Sequence, residues 1–294
     1  MKHAILGVGA IGGLIGTALA SLGEDVTVVV RPEKLASYPA NLTLERPAGS
    51  NSITAPAKAA SSLTEPVDVL WIATKTYQME GALKAVPAPP GRIIPLLNGV
   101  DHVAVLRARF GKERVLPGTI AVEAERSAPG HFIQRSPFVR LNLASSGEAL
   151  LGPIVRRLTG LGFTCQFIAN EQTLLWSKLC FLGPFALATS ASGNNIGDVL
   201  ADAAWKQKLS SAVDEACAVA NASGAEIDRQ KLEAAFQGAP PTMRSSMQKD
   251  VVAGRQLELD AIGGPIVRGG ERFGIDVSTT KELMEQIRSK SVAA

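Results

Sequence analysis

A glycine-rich turn near the start of the chain constrains the fold more than any other feature. The run GVGAIG places glycines at 7, 9 and 12, after a predicted strand and at the start of a predicted helix. In this context Gly7 is expected to permit the tight turn, Gly9 the close approach of a pyrophosphate and Gly12 the packing of helix on strand. The alternative is a strand–helix joint that binds nothing. The residues predicted to contact a dinucleotide here are Gly7, Val8, Gly9, Ala10, Ile11 and Gly12.

Arg31 indicates which dinucleotide is bound. A second apolar run, residues 26–30, ends in this arginine, where an aspartate or glutamate is usual. A carboxylate at this place binds the ribose 2′-hydroxyl of NAD, whereas an arginine favours a 2′-phosphate through charge-assisted hydrogen bonds. The segment ATKTYQ, after a later strand, adds Lys75 and Gln78 on the side where adenosine is expected. These residues predict NADP(H) as the cofactor; the alternative for Arg31 is a solvated surface arginine.

The first half of the chain alternates short apolar runs with helical stretches. This alternation predicts an α/β fold in which a parallel sheet carries helices on both faces. The predicted strands are 3–6, 26–30, 67–73 and 92–97, with helices at 10–22 and 101–110. Short runs around Pro-Gly turns over 115–145 predict an antiparallel extension, followed by a helix near 148–161 and a strand at 163–168. Residues 33–66 are weakly patterned.

The second half has a different pattern. From about Asn170 the apolar spacing is almost wholly helical, and 294 residues exceed what one hydrophobic core usually organises. We therefore predict two domains: a Rossmann-type domain over 1–169, which carries the dinucleotide-binding turn, and an all-helical domain over 170–294.

Composition and charge exclude several other classes of protein. A net charge of +3 is too small to indicate nucleic-acid binding, and no stretch of about 18 uncharged apolar residues predicts a membrane span. No signal peptide is expected. The three cysteines are odd in number and far apart, which argues against a disulfide framework and fits a cytoplasmic protein. The three histidines lack ligand spacing, so no metal site is expected.

Two charged residues in the helical half are candidates for chemistry. Lys178 lies inside the apolar segment EQTLLWSKLCFLGPFALATS, and Glu258 lies in RQLELDAIGG. A lysine in a partly dry site can protonate the oxygen that hydride transfer leaves negative. The alternatives are a lysine that lays its stem on apolar surface and an exposed helix carboxylate, with Asp260 and Glu271 as rivals to Glu258.

Several separated motifs occur in the order seen in one enzyme family. The chain resembles the ketopantoate reductases (2-dehydropantoate 2-reductases, enzymes of pantothenate biosynthesis) in GVGAIG with Arg31, TKTYQ, NGV, LWSKL and SSMQKDVVAGRQLELDAIGG. The resemblance implies NADPH and a 2-keto acid in a cleft between a Rossmann and a helical domain, and a possible homodimer. It implies that Lys178 is the catalytic proton donor and Glu258 its helper. It also implies that Asn98 contacts cofactor and substrate, and that Ser246 contacts substrate.

Three positions depart from the pattern of that family. Leu182, Ala186 and Met243 stand where the family has asparagines that contact the hydroxylated end of ketopantoate. A pocket without these amides holds a substrate hydroxyl less tightly. We therefore expect either ketopantoate reduction or reduction of a more apolar branched keto acid or an imine. A non-catalytic NADP(H)-sensing protein is the alternative from another class.

Overall fold

The chain forms two compact units in the computed structural model, which describes residues 1–292. The first unit comprises Met1–Leu97 and His102–Ala169. The second comprises Asn98–Asp101 and the residues from Asn170 onward. The segment Asn98–Asp101, which the sequence pattern predicts to lie in the first domain, thus belongs to the helical unit.

The first unit contains twelve strands and five α-helices. The strands are β1 (Lys2–Leu6), β2 (Asp25–Val29), β3 (Asn41–Glu45), β4 (Ile53–Pro56), β5 (Lys58–Ala60), β6 (Val69–Ile72), β7 (Arg92–Pro95), β8 (Gly118–Ala121), β9 (Ala124–Ala128), β10 (His131–Gln134), β11 (Val139–Ala144) and β12 (Phe163–Ile168). The helices are α1 (Ala10–Ser21), α2 (Pro32–Leu35), α3 (Met79–Ala82), α4 (His102–Phe110) and α5 (Glu148–Gly160).

A five-stranded parallel sheet in the order β5-β2-β1-β6-β7 forms the centre of this unit. Leu6 at the end of β1 is level with Val29 of β2 and Ile72 of β6. Because parallel strands end at the same edge, the turns that follow these three strands lie side by side. The parallel sheet and the helical second half confirm the predicted fold class.

The antiparallel extension predicted for 115–145 is instead divided between two separate sheets. One has the order β4-β3-β10-β9 and the other the order β12-β11-β8, and each mixes parallel with antiparallel pairs. The first of these sheets takes β3 and β4 from the weakly patterned region 33–66. Helix α1 contacts strands of this sheet as well as β1 and β2, which explains why its residues are apolar almost all round.

The second unit is helical. Its helices are α6 (Glu171–Ser192), α7 (Ile196–Ala201), α8 (Ala203–Ala222), α9 (Arg229–Gln237), α10 (Ser246–Val252), α11 (Leu259–Phe273) and α12 (Ser278–Val292). Helix α6 begins at a well-formed cap, because the Asn170 side chain accepts hydrogen bonds from the Gln172 and Thr173 amides. It ends at Gly193, whose φ of 82° is left-handed.

Helix α6 is the core helix of this unit. It contacts α8, α10, α11 and α12, and residues such as Leu179 and Ala188 are fully buried. By length and composition α6 is also apolar enough to cross a membrane, but 78% of its apolar window is buried within the protein. Burial of this extent is typical of a helix that forms the core of a helical domain.

Candidate functional site

The glycine turn has the backbone geometry that its sequence predicts. Gly7 has a φ of +96°, and a Cβ there would lie 2.6 Å from the Thr74 nitrogen. A Cβ on Gly12 would lie 2.1 Å from the Gly7 oxygen, so α1 packs directly on the turn. By contrast, a Cβ on Gly9 would meet nothing within 4 Å. The space above Gly9 is therefore open to an incoming group.

The N-terminus of α1 is suited to an anion. Gly9 occupies the N-cap position with no side-chain cap, and the first turn carries no acidic residue. Beside it, the Thr74 hydroxyl is buried and has no hydrogen-bond partner among residues 1–292. Free amide donors, the helix dipole and an unpaired hydroxyl fit the pyrophosphate of a dinucleotide. The residues present thus fit a dinucleotide cofactor.

The two basic residues predicted to contact the cofactor follow neighbouring strands. Arg31 comes two residues after β2 and is exposed. Within the described part of the chain its guanidinium forms no hydrogen bond or ion pair. Lys75 lies half-buried after β6, and Gln78 is exposed at the end of the turn that follows. Gly7, Arg31 and Lys75 therefore lie at one edge of the parallel sheet.

Arg126 is a residue at this edge that the sequence did not reveal. It lies on β9 and donates a hydrogen bond from Nη1 to the Val8 oxygen over 3.3 Å. The contact joins residues 118 positions apart: Val8 lies in the glycine turn that follows β1, and Arg126 lies on β9 of a different sheet. No local pattern connects them, so only the folded chain shows that a second arginine lies against the glycine turn.

In the second unit, Lys178 lies on α6 among buried residues. Its neighbours Leu175 and Leu179 are buried, and Lys178 itself is half-buried. Burial lowers the pKa of Lys178 to about 8, against the opposing effect of the Glu258 carboxylate. The ammonium is thus a stronger acid than an exposed lysine.

Asn98 connects Lys178 to Glu258. Lys178 Nζ donates to Asn98 Oδ1 over 3.0 Å, and Asn98 Nδ2 donates to Glu258 Oε2 over 3.2 Å. The orientation of the amide follows from chemistry, because an ammonium can only donate and a carboxylate can only accept. The three side chains form one hydrogen-bonded line, which we call the lysine line.

Glu258 is 5% exposed and lies at the N-terminus of α11. Its side chain does not cap the helix, so the carboxylate is available to Asn98. The positive end of the α11 dipole stabilises this buried negative charge. The rivals considered from sequence are engaged elsewhere: Asp260 pairs with Arg268, and Glu271 pairs with Lys281.

The remaining predicted substrate residues lie on other parts of the unit. Ser246 is exposed at the first position of α10, while its neighbour Ser245 is buried and caps that helix. The hydrogen bonds of the described residues do not join Ser246 to the lysine line. Leu182 and Ala186 pack in a core cluster with Ile262, and Ala186 is fully buried.

The arrangement is suited to delivering a proton to an oxygen that becomes negative. The lysine line holds a cation of lowered pKa in a fixed direction, with a carboxylate one amide away to favour its charged form. Residues 1–292 contain no group of three or more His, Cys, Asp or Glu that could hold a metal ion. The second unit offers acid chemistry from a lysine because the lysine line holds this ammonium close to a buried carboxylate.

Comparison with known proteins covers nearly the whole chain. Residues 3–146 match the family model described as ketopantoate reductase PanE/ApbA, and residues 170–291 match the model of the C-terminal part of that family. The 2-dehydropantoate 2-reductase of Caulobacter vibrioides is 32% identical over 92% of this chain and 93% of its own length.

Solved structures show the same fold at lower identity. A D-mandelate dehydrogenase, solved with NADH and anilino(oxo)acetate, superposes with a TM-score of 0.86 at 22% identity, over 100% of this chain and 99% of its own. A dimeric ketopantoate reductase from Staphylococcus aureus gives a TM-score of 0.79 at 20% identity, over 100% and 99% of the two chains.

Proposed function

This chain belongs to the ketopantoate reductase family, and from that premise we propose that it reduces a 2-keto acid with NADPH and that Lys178 donates the proton. Membership makes it an oxidoreductase that acts on a CH–OH group with a nicotinamide dinucleotide. The observation that carries the proposal is the lysine line: a half-buried lysine with a pKa near 8, held by an amide against a buried carboxylate.

The preference for NADPH is supported by Arg31. Its exposed guanidinium follows β2, where an acidic residue would repel a 2′-phosphate. The glycine turn and the Thr74 hydroxyl would hold the pyrophosphate. When bound, the nicotinamide supplies a hydride, and the protein supplies binding, orientation and electrostatics.

Lys178 acts as general acid in the proposed reaction. The ammonium stabilises the negative charge that develops on the carbonyl oxygen and transfers its proton to that oxygen. Asn98 holds Nζ in one direction by accepting a hydrogen bond from one of its three N–H groups. Glu258 favours the charged form of the lysine and thus its reprotonation for the next turnover.

The three positions that differ from the family pattern carry apolar residues, and these favour a branched keto acid substrate without a terminal hydroxyl. Ala186 is buried in a core cluster of the helical unit, Leu182 and Met243 are partly buried against its core clusters, and none of the three carries an amide that could bind a hydroxyl. An apolar pocket discriminates only weakly between substrates with and without a hydroxyl, by about 1–3 kcal/mol. The structural neighbour named D-mandelate dehydrogenase illustrates a different substrate on this fold.

The proposal is tested with purified protein by following the oxidation of NADPH in the presence of 2-keto acids. Lys178→Ala is expected to lower kcat by roughly two to four orders of magnitude, because a positioned proton donor is lost. NADPH binding should be almost unchanged, since the glycine turn belongs to the other unit. Lys206→Ala, which removes an exposed lysine from α8, is the matched control. A near-normal rate in Lys178→Ala would exclude this lysine as the acid.

Two further properties belong to the same proposal. The three free thiols support a reducing, cytoplasmic location. The dimeric neighbour from Staphylococcus aureus supports a homodimer. Light scattering on the eluted protein would give the mass directly, and a monomer at micromolar concentration would contradict the second property.

A further inference from the structure

We propose that Arg268 and Asp101 form a latch that fixes the segment Asn98–Asp101 on α11 and thereby positions Asn98 in the lysine line. This proposal rests on the proposed function in one respect: the latch positions the lysine line, which contains the proposed acid Lys178. Neither residue belongs to the line, so both are positioning residues.

Arg268 bridges two carboxylates. Its Nη2 lies 2.5 Å from Asp101 Oδ2, and its Nη1 lies 2.8 Å from Asp260 Oδ1. Asp260 is on the same helix two turns earlier, so the arginine stem runs along α11 towards its N-terminus. Asp101 belongs to the segment that contains Asn98. The guanidinium therefore connects that segment to the helix that follows Glu258.

Gly264 provides the space in which this guanidinium lies. A Cβ at Gly264 would be 2.6 Å from Arg268 Nη2 and 2.6 Å from Asp260 Oδ1. A glycine in the middle of a helix is destabilising relative to alanine. The atoms nearest to a Cβ at Gly264 belong to Arg268 and Asp260. The space left by the missing side chain is therefore occupied by the latch.

The rest of the segment is fitted to the same surface. Gly99 has a φ of +82°, and a Cβ there would lie 2.2 Å from the Ala261 oxygen of α11. Val100 packs against a core cluster that includes Trp176 and Leu179 of α6. Asn98 thus contacts α6, and Gly99 and Asp101 lie against α11. The Asp101–Arg268 pair ties the last residue of the segment to α11.

Because the Arg268–Asp101 pair is exposed, its role in positioning can be distinguished from a contribution to stability. Arg268 is 49% exposed and Asp101 is 52% exposed. Ion pairs this exposed contribute little to the free energy of unfolding. A small displacement of a catalytic group, however, can greatly reduce a rate. Opening the latch should therefore reduce turnover and leave the thermal stability almost unchanged.

Asp101→Asn and Gly264→Ala open the latch in different ways. The first removes the charge on the segment, and the second pushes the guanidinium aside while favouring the helix. We expect each to lower kcat about tenfold with little change in KM. The melting temperature should stay constant in Asp101→Asn and stay constant or rise in Gly264→Ala. Glu271→Gln, which breaks another exposed pair of α11, is the matched control and should keep wild-type kcat.

A second measurement does not depend on turnover. Lys178 is acetylated across a pH series with a limiting amount of an amine-reactive acetylating reagent. Mass spectrometry measures the extent of acetylation at each pH, which reports the pKa of the Lys178 amine. In both latch variants water enters around Asn98, so the profile should shift to higher pH, because burial is what lowers this pKa. Glu271→Gln should keep the wild-type profile. If wild-type protein reduces no keto acid, the proposed function fails and this measurement still tests the latch. Wild-type acetylation profiles in Asp101→Asn and Gly264→Ala would overturn it.

Discussion

Lys178 combines two requirements that usually conflict in a lysine. It must be charged to donate a proton, yet it must be acidic enough to lose that proton during the reaction. Burial on α6 makes it more acidic, while Glu258 keeps the charged form accessible, and Asn98 carries the connection between them. The resulting pKa of about 8 lies near the pH at which a general acid is most effective.

The pH dependence of the reaction follows from this value. The ammonium form is required, so kcat/KM for reduction should be constant below about pH 8 and fall about tenfold per pH unit above it. Glu258→Gln removes the group that raises the pKa of Lys178, so the fall should begin at lower pH. Initial rates between about pH 6 and pH 10 provide the test. A profile that stays flat to about pH 10 would contradict the assignment.

At the dinucleotide edge, Arg31 should determine the choice of cofactor. Arg31→Asp is expected to weaken NADPH binding and to reverse or abolish the preference over NADH, because a carboxylate repels the 2′-phosphate and accepts a hydrogen bond from a 2′-hydroxyl. Lys34→Asp reverses another exposed charge three residues later, at the end of α2, and should retain the preference. The dissociation constants of NADPH and NADH, measured for the wild-type protein and for both variants, test this prediction. Equal affinities in the wild-type protein would refute the role of Arg31.

At the scale of elements, β1 and β6 are joined by more than backbone pairing. Trp71 Nε1 of β6 donates to His3 Nδ1 of β1 over 3.2 Å, and His3 is fully buried. Burial lowers the pKa of His3 to about 4, with the Glu24 carboxylate opposing the shift. The neutral imidazole is therefore part of the folded sheet that positions the glycine turn.

The stability of the sheet should consequently fall as the pH is lowered. The unfolded chain binds a proton at His3 near pH 6.5, whereas the folded chain resists it until about pH 4. The contribution is complete above about pH 6.5 and is lost towards about pH 4, and between pH 7 and pH 5 the loss should be about 2 kcal/mol. Urea unfolding at these two pH values measures it. His3→Asn offers Trp71 an acceptor that does not titrate, and an undiminished pH dependence in this variant would exclude His3 as the cause.

Some strands of the fold could be predicted from the sequence and others could not. The strands β1, β2, β6 and β7 are buried apolar runs, so their local pattern was sufficient to predict the parallel sheet. The strands of region 33–66 are short, and β3 pairs with β10, nearly ninety residues later. Pairing at that distance leaves no local signal. The sequence therefore did not predict the separate sheet against which α1 also packs.

At the scale of the whole molecule, the candidate chemistry is distributed over both units. The glycine turn, Arg31 and Lys75 belong to the first, and the lysine line belongs to the second. The sequence identified these residues individually, by local patterns for the glycine turn, Arg31, Lys75, Lys178 and Glu258 and by the family resemblance for Asn98. It did not reveal that Asn98 bridges Lys178 and Glu258, or that Arg268 reaches Asp101 across 167 positions. Such contacts depend on which helices pack together, and helical periodicity does not specify this.

The central claim is that this chain reduces a 2-keto acid with NADPH. The most direct test supplies the wild-type protein with NADPH and, in turn, ketoisovalerate and ketopantoate, and measures both NADPH consumed and hydroxy acid formed. We predict equal amounts of the two, and a kcat/KM for ketoisovalerate at least comparable with that for ketopantoate. NADPH consumption no faster than without substrate, for both acids, would contradict the claim. A roughly thousandfold preference for ketopantoate would contradict the apolar substrate, because an apolar pocket cannot discriminate so strongly.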